Sequence, residues 1–260
     1  MPGRRLLPGR GRLVVRIKVI NPNTTAGMTA KIGEAARGVA APGMEIVAVS
    51  PAAGPVSIEC HYDEAVSVLG VLEEVRKGEE EGCDGYVIAC FGDPGLLAAR
   101  EIAKGPVLGI AEAAMHAASL IATGFSVVTT LERTCIIAEH LVRNYGMEHH
   151  CRKVRGTDIP VLDLEDTGSA ALGMIVEECR RAVAEDRCGA IVLGCAGMAG
   201  LVAAVQREVG VPVIDGVTAA VVQVEGLVRL GLGTSKHGDL ARPLPKTFTG
   251  NLAQFAIDRK

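Results

Sequence analysis

A chain of 260 residues, 48% of them apolar, has enough material for one large domain or two smaller ones with a sizeable core. Its formal net charge of −3, from 27 Lys and Arg against 30 Asp and Glu, offers no basic face for nucleic acid. Four Phe, three Tyr and no Trp leave no stacking platform for single strands.

The first thirteen residues, MPGRRLLPGRGRL, carry four arginines and no apolar signal region. They read as a disordered extension or an over-long start, and are set apart from the fold. Beyond them, short apolar runs predict strands at Arg16–Ile20, Glu45–Val49, Gly85–Ala89, Val107–Ile110, Ser126–Val128, Ile159–Leu162, Ala190–Leu193 and Val213–Ile214. Between them, helical periodicity runs over Met28–Val39, Tyr62–Glu81, Gly95–Ala103, Leu131–Tyr145, Ala171–Glu185 and Met198–Val209. Alternation of this kind predicts an α/β fold with parallel sheets and helices on both faces. No stretch reads as a membrane span: the most apolar region, Val107 to Val128, is interrupted by Glu112, His116 and two glycines.

Eight cysteines, with no CxxC spacing and no secretory signal, are expected to be free thiols in a reducing compartment. The run His149-His150-Cys151 could suggest a metal, but no fourth ligand stands at a recognisable spacing, so it is read as a solvated loop.

The chain repeats itself. DGYVIACFGDPGLLAAREIAKGPVLGIAEAA, from Asp84, and GAIVLGCAGMAGLVAAVQREVGVPVIDGVTAA, from Gly189, share strand, Cys, small residues, helix, Pro-Val, strand and a double alanine. Cys90 thereby matches Cys195, and Pro106 matches Pro212. A weaker match joins IKVINPNTT, from Ile17, to FSVVTTLERT, from Phe125. Two pseudo-symmetric Rossmann-like lobes follow, residues 14–114 with 216–260 and residues 115–215. Ligands of parallel sheets sit at the carboxyl ends of strands, so lobes that face each other would place Cys90 and Cys195 on opposite sides of one cleft.

Each of these cysteines ends a strand and precedes a helix, with Asp93 suited to an N-cap and Pro94 to a first turn. The positive end of a helix lowers a thiol pKa from about 8.5, which would make one sulfur a base near neutral pH and its protonated partner an acid. Backbone N–H groups of Phe91-Gly92 and Ala196-Gly197 could bind an enolate oxygen. A lone free Cys at a strand end is more often a small buried hydrophobe; two at matching repeat positions, each before small residues, favour the chemical reading. Cys83 and Cys188 share the same offset but precede their strands, and are read as structural. GCAGMAG spells G-x-x-G-x-x-G rather than G-x-G-x-x-G, and no P-loop is present, which disfavours a nucleotide cofactor.

VINPNTT (Val19–Thr25), VSP-x-x-GPVSIE (Val49–Glu59), VIACFGDPGL (Val87–Leu96), GIAEAA (Gly109–Ala114), FSVVTT (Phe125–Thr130) and VLGCAGM (Val192–Met198) together resemble the hydantoin/allantoin racemases of the aspartate/glutamate racemase superfamily. The resemblance runs from about Ile17 to about Leu240. It implies a cleft between two lobes, Cys90 and Cys195 as the proton donor and acceptor, and substrate contacts from Asn21, Ser57, Ile58, Phe91, Gly92, Thr129, Thr130, Ala196 and Gly197. It also implies a cytoplasmic homo-oligomer acting on a small molecule, with no metal or other cofactor.

Where the amino-acid racemases of that superfamily carry D-S-G, this chain has Asn21-Pro22-Asn23. The implied site loops hold almost no Lys or Arg, Arg133 being the nearest, so they suit a neutral hydantoin ring better than a dicarboxylic amino acid. Asn21, Thr129 and Thr130 equally suit closing strand ends or capping helices. Thr129-Thr130, GIAEAAMH and TSKHGDLA look more like allantoin-type sequences, and hydantoin racemase is the alternative. Two further readings stand beside these: another superfamily chemistry, a decarboxylase or cis–trans isomerase, and a non-catalytic two-lobed protein that closes on a small ligand.

Overall fold

A computed structural model describes residues 14–165 and 169–257; the basic segment 1–13 lies outside them. In chain order the elements are β1 (Val15–Ile20), α1 (Ala26–Val39), β2 (Met44–Val49), α2 (His61–Glu81), β3 (Gly85–Ile88), α3 (Leu96–Ile102), β4 (Val107–Gly109), α4 (Ile110–Ile121), β5 (Phe125–Thr129), α5 (Cys135–Asn144), β6 (Cys151–Gly156), α6 (Ser169–Asp186), β7 (Ala190–Leu193), α7 (Val202–Val209), β8 (Val213–Asp215) and α8 (Gly216–Arg229). They form two four-stranded parallel sheets of the same topology, β2-β1-β3-β4 and β6-β5-β7-β8. Of the inner strands, β3 and β7 carry no charged or strongly polar side chain, as suits strands covered by helices on both faces.

The helices that follow β4 and β8 exchange sheets. α4 packs on β7 and β8 of the second sheet, whereas α8 packs on β1, β3 and β4 of the first, and the two helices lie against each other. Ala113, Ala114 and Ala118 on α4 and Ala220 on α8 are fully buried at this junction, where small side chains let the helices approach. One continuous apolar cluster therefore runs from Ile17 and Val87 through the α4/α8 pair to Val127 and Val192. Each such fully buried Val or Ile contributes roughly 1.5–3 kcal/mol.

One strand differs from expectation. Ile159–Leu162 is not a strand: Pro160 has no N–H to give a ladder, and a 3₁₀ turn forms over Val161–Leu164. The fourth strand is instead β6, CRKVRG, whose charges hide its strand character. Arg152 and Lys153 are exposed on this edge, while the buried Arg155 is neutralised by Asp186, Glu185 and Glu178 of α6. Cys151 accordingly opens a strand rather than ending a loop. The helix expected from Leu131 starts with a 3₁₀ turn at Glu132–Thr134, and the one expected from Met198 with a 3₁₀ turn at Ala196–Leu201.

Candidate active site

Cys90 and Cys195 each lie two residues beyond a strand end, after Ile88 of β3 and Leu193 of β7, on the two central strands at the carboxyl edges of their sheets. Both are half-buried and both line one pocket that opens to solvent. The sheets thus deliver one thiol each to a shared space. Of the other residues singled out in the sequence, Ile58, Phe91, Gly92, Thr129 and Ala196 line the same pocket.

Asn21, Ser57, Thr130 and Gly197 do not line it. Asn21 is buried and organises the loop after β1: its amide donates to Asn23 Oδ1 at 2.9 Å and to Thr29 Oγ1 at 3.0 Å. That loop offers the pocket Asn23 instead. The Asn23 carbonyl oxygen accepts from Asn21 and from the Thr25 N–H, which leaves its amide nitrogen with only the Met28 sulfur at 3.3 Å. Thr130 contributes its carbonyl, which accepts the N–H of Thr157 at 2.7 Å and of Asp158 at 2.9 Å. Gly197 is packed beneath Leu164 and Met28. Thr129 donates its hydroxyl to the Gly194 carbonyl at 2.8 Å, so towards a ligand it can only accept.

The rest of the wall is mostly apolar, with Met28, Ile137, Ala138 and Val161 among its residues. No Lys or Arg is among the lining residues, and the single carboxyl is that of Glu64. Sequence reading missed Asn23 and Glu64. Asn23 was visible in the NPN motif beside Asn21; Glu64 belongs to a helix whose facing cannot be known before the lobes are assembled. Among the described residues no group of His, Cys, Asp and Glu is arranged to hold a metal ion.

The thiols are not acidified. Burial pushes Cys90 up to about 12, against the opposing pull of the Gly92 N–H, and the charges of Cys195, Asp93 and Glu64 push it the same way. Burial likewise lifts Cys195 to about 11 against the Gly197 N–H, helped by Glu59 and Asp215. The lowered values expected from helix starts do not appear because desolvation of the thiolate outweighs one backbone N–H. The helix starts are also displaced: α3 begins six residues after Cys90, and α7 seven after Cys195. Gly92 and Gly197, expected to hold an enolate oxygen, direct their N–H groups to the sulfurs.

Asp93 does not cap α3, whose N-cap is Gly95. It sits at φ +45°, a left-handed conformation disfavoured for any residue with a Cβ, and reaches across to cap α4. Its Oδ1 accepts the Ala111 N–H at 3.1 Å and its Oδ2 the Glu112 N–H at 2.9 Å. The Tyr145 hydroxyl, from the end of α5, donates to the same Oδ2 at 2.7 Å. A Cβ at Gly109 would collide with this carboxyl, which explains the glycine. In the second repeat the matching position is Asp215, which caps α8 with its own side chain.

Two like α/β lobes share a pocket and each supplies it with a thiol, the architecture of the Asp/Glu racemase-type two-lobed proteins. The chain belongs to the Asp/Glu/Hydantoin racemase family, whose model matches residues 17–224. It is 51% identical over 241 residues to the hydantoin racemase of Pseudomonas sp. (strain NS671), covering 93% of this chain and 97% of that one. Among solved structures, allantoin racemase from Klebsiella pneumoniae is 61% identical with a TM-score of 0.91, covering 93% of this chain and 99% of its own. Allantoin racemase from Pseudomonas fluorescens is 41% identical with a TM-score of 0.88, covering 91% and 100%. The protein is thus a racemase of the hydantoin/allantoin group acting on a small molecule.

Proposed function

We propose that the protein interconverts the enantiomers of allantoin (5-ureidohydantoin) by two-base proton transfer between Cys90 and Cys195, without a cofactor. The observation that carries this is one pocket lined by two repeat-equivalent thiols and by no cationic side chain. One sulfur, as thiolate, takes the proton from ring C5, and the C–H electron pair passes into the adjacent carbonyl as an enolate. The other sulfur, as thiol, returns a proton to the opposite face of C5. The enzyme is left with the charge transposed, ready for the other enantiomer. Because each charge raises the other thiol's pKa, the once-ionised pair is one thiolate and one thiol, the state this chemistry needs.

A neutral ring suits these walls. The Asn23 amide can donate to a ring carbonyl, and the Thr129 oxygen can accept a ring N–H. Phe91 and Ile58 would cover the ring faces, with Gly92 and Ala196 leaving the sulfurs room to approach. The apolar part of the wall and the 51% identical hydantoin racemase favour a second reading, a racemase of other 5-monosubstituted hydantoins. The 61% identical allantoin racemase favours the first.

The test follows optical rotation and C5 deuterium of single enantiomers in D2O, with an enzyme-free control for spontaneous racemisation. Wild type should racemise allantoin faster than 5-alkylhydantoins, with deuterium incorporation. Cys90→Ser and Cys195→Ser should each abolish racemisation. Activity surviving both changes would reject the two-thiol mechanism; faster turnover of the alkyl compounds would shift the assignment to the second reading.

A further inference from the structure

We propose that Glu64 determines which substituent the ring may carry at C5, its carboxylate accepting the paired N–H groups of a ureido or similar donor-bearing arm. This rests on the racemase reading above and concerns the part of the substrate that does not react.

Glu64 lies in the first turn of α2, where its backbone N–H is already held by the Cys60 carbonyl at 3.0 Å. Its side chain, 24% exposed, lines the pocket. The carboxyl packs over Gly92: a Cβ there would stand 3.5 Å from Glu64 Cδ and Oε1. It is therefore next to the loop that carries Cys90, in the pocket that both thiols line.

Glu64 has no strong partner: among the described residues no Lys or Arg pairs with it, and the ion pair it makes is a long one, His61 Nδ1 standing 3.6 Å from Oε2. His61 is exposed and stacks on His140 of α5, ring centroids 6.4 Å apart. α2 and α5 belong to different halves of the molecule, so the carboxyl is oriented by a contact between them. Burial pushes the Glu64 pKa up, and the two histidines pull it back only in part. A partly desolvated carboxylate with unfilled acceptor positions gains from any donor brought to it.

A ureido arm presents two nearly parallel N–H groups, one on each nitrogen, and a carboxylate accepts such a pair through both oxygens. An alkyl arm in the same place would strip water from the carboxylate and return nothing, so it is penalised as well as unrewarded. The apolar walls hold the ring, and Glu64 selects the arm.

The experiment measures kcat/KM of wild type, Glu64→Gln and Glu64→Leu for (S)-allantoin and for 5-(2-methylpropyl)hydantoin, with the Tm of each protein. Glu64→Leu should lose about 10²-fold on allantoin, the size of one charge-assisted pair, and gain on the alkyl compound, inverting the preference. Glu64→Gln, whose amide oxygen still accepts one N–H, should fall between. Parallel loss on both substrates, or allantoin turnover unchanged in Glu64→Leu, would overturn the assignment while leaving the racemase reading intact. Wild type inactive on both compounds would remove both. A rise in alkyl turnover also shows that the variant is folded.

Discussion

At Cys90 and Cys195 two effects oppose each other: burial favours the neutral thiol, and the N–H groups of Gly92 and Gly197 favour the thiolate. Burial wins, at about 12 and about 11. With both values raised, the thiolate fraction below them climbs with pH, so kcat/KM is expected to increase about tenfold per unit between pH 7 and 9. Circular dichroism of single enantiomers, corrected for the uncatalysed rate, measures this; a flat profile would mean that the free enzyme already holds its thiolate at pH 7. The positions of both cysteines were legible in the sequence because the repeat marks them. Their pKa values were not, because desolvation depends on what closes over the sulfur. Asn21 shows the same limit: an Asn at a strand end can face a ligand or tie its own loop, and only the Asn23 and Thr29 contacts decide for the loop.

Among the elements, α4 and α8 show how one repeat solves the same problem twice. Each helix start donates two N–H groups to a carboxylate, α8 to Asp215 at its own N-cap and α4 to Asp93, sixteen residues before Gly109. The second arrangement ties the Cys90 loop to α4 and, through Tyr145, to α5. Asp93→Asn puts an NH₂ group against at least one of three donors, and a loss of about 1–3 kcal/mol is expected from urea denaturation at pH 8. Burial raises the Asp93 carboxyl to about 7 from 3.8, against the pull of Tyr145 and the two N–H groups. The folded state therefore holds this proton more tightly than the unfolded chain. The stability it contributes is fully present below about pH 4 and is lost as pH rises through about 7. The wild-type midpoint should fall across that window relative to Asp93→Asn, and parallel curves would count against a titrating Asp93. Periodicity revealed most helices and seven of the eight strands; β6 escaped because Arg155 is compatible with burial only once Asp186, Glu185 and Glu178 are folded beside it.

For the whole molecule, the closing contacts sit around the 3₁₀ turn at Val161–Leu164. Glu59, from the first sheet's side, accepts the Val161 N–H at 2.7 Å. Lys31 of α1 donates to the carbonyls of Leu164 at 3.2 Å and Glu165 at 2.8 Å. Val161 lines the pocket and Leu164 covers Gly197, so these contacts hold one wall of the site. Lys31→Met should raise KM several-fold while costing only about 1 kcal/mol of stability, since its amine is partly exposed. Steady-state kinetics and urea denaturation test this; an unchanged KM would show that the turn keeps its place unaided. The two-lobed α/β class, the internal repeat and the paired cysteines could be read from the chain because strand and helix periods and repeated motifs are local properties. The exchange of α4 and α8 between sheets, the facing of Asn23 and Glu64 rather than Asn21 into the pocket, and the upward pKa shift of both thiols arise only in the folded molecule. Facing and desolvation are set by atoms far apart in the chain, and no local pattern encodes them.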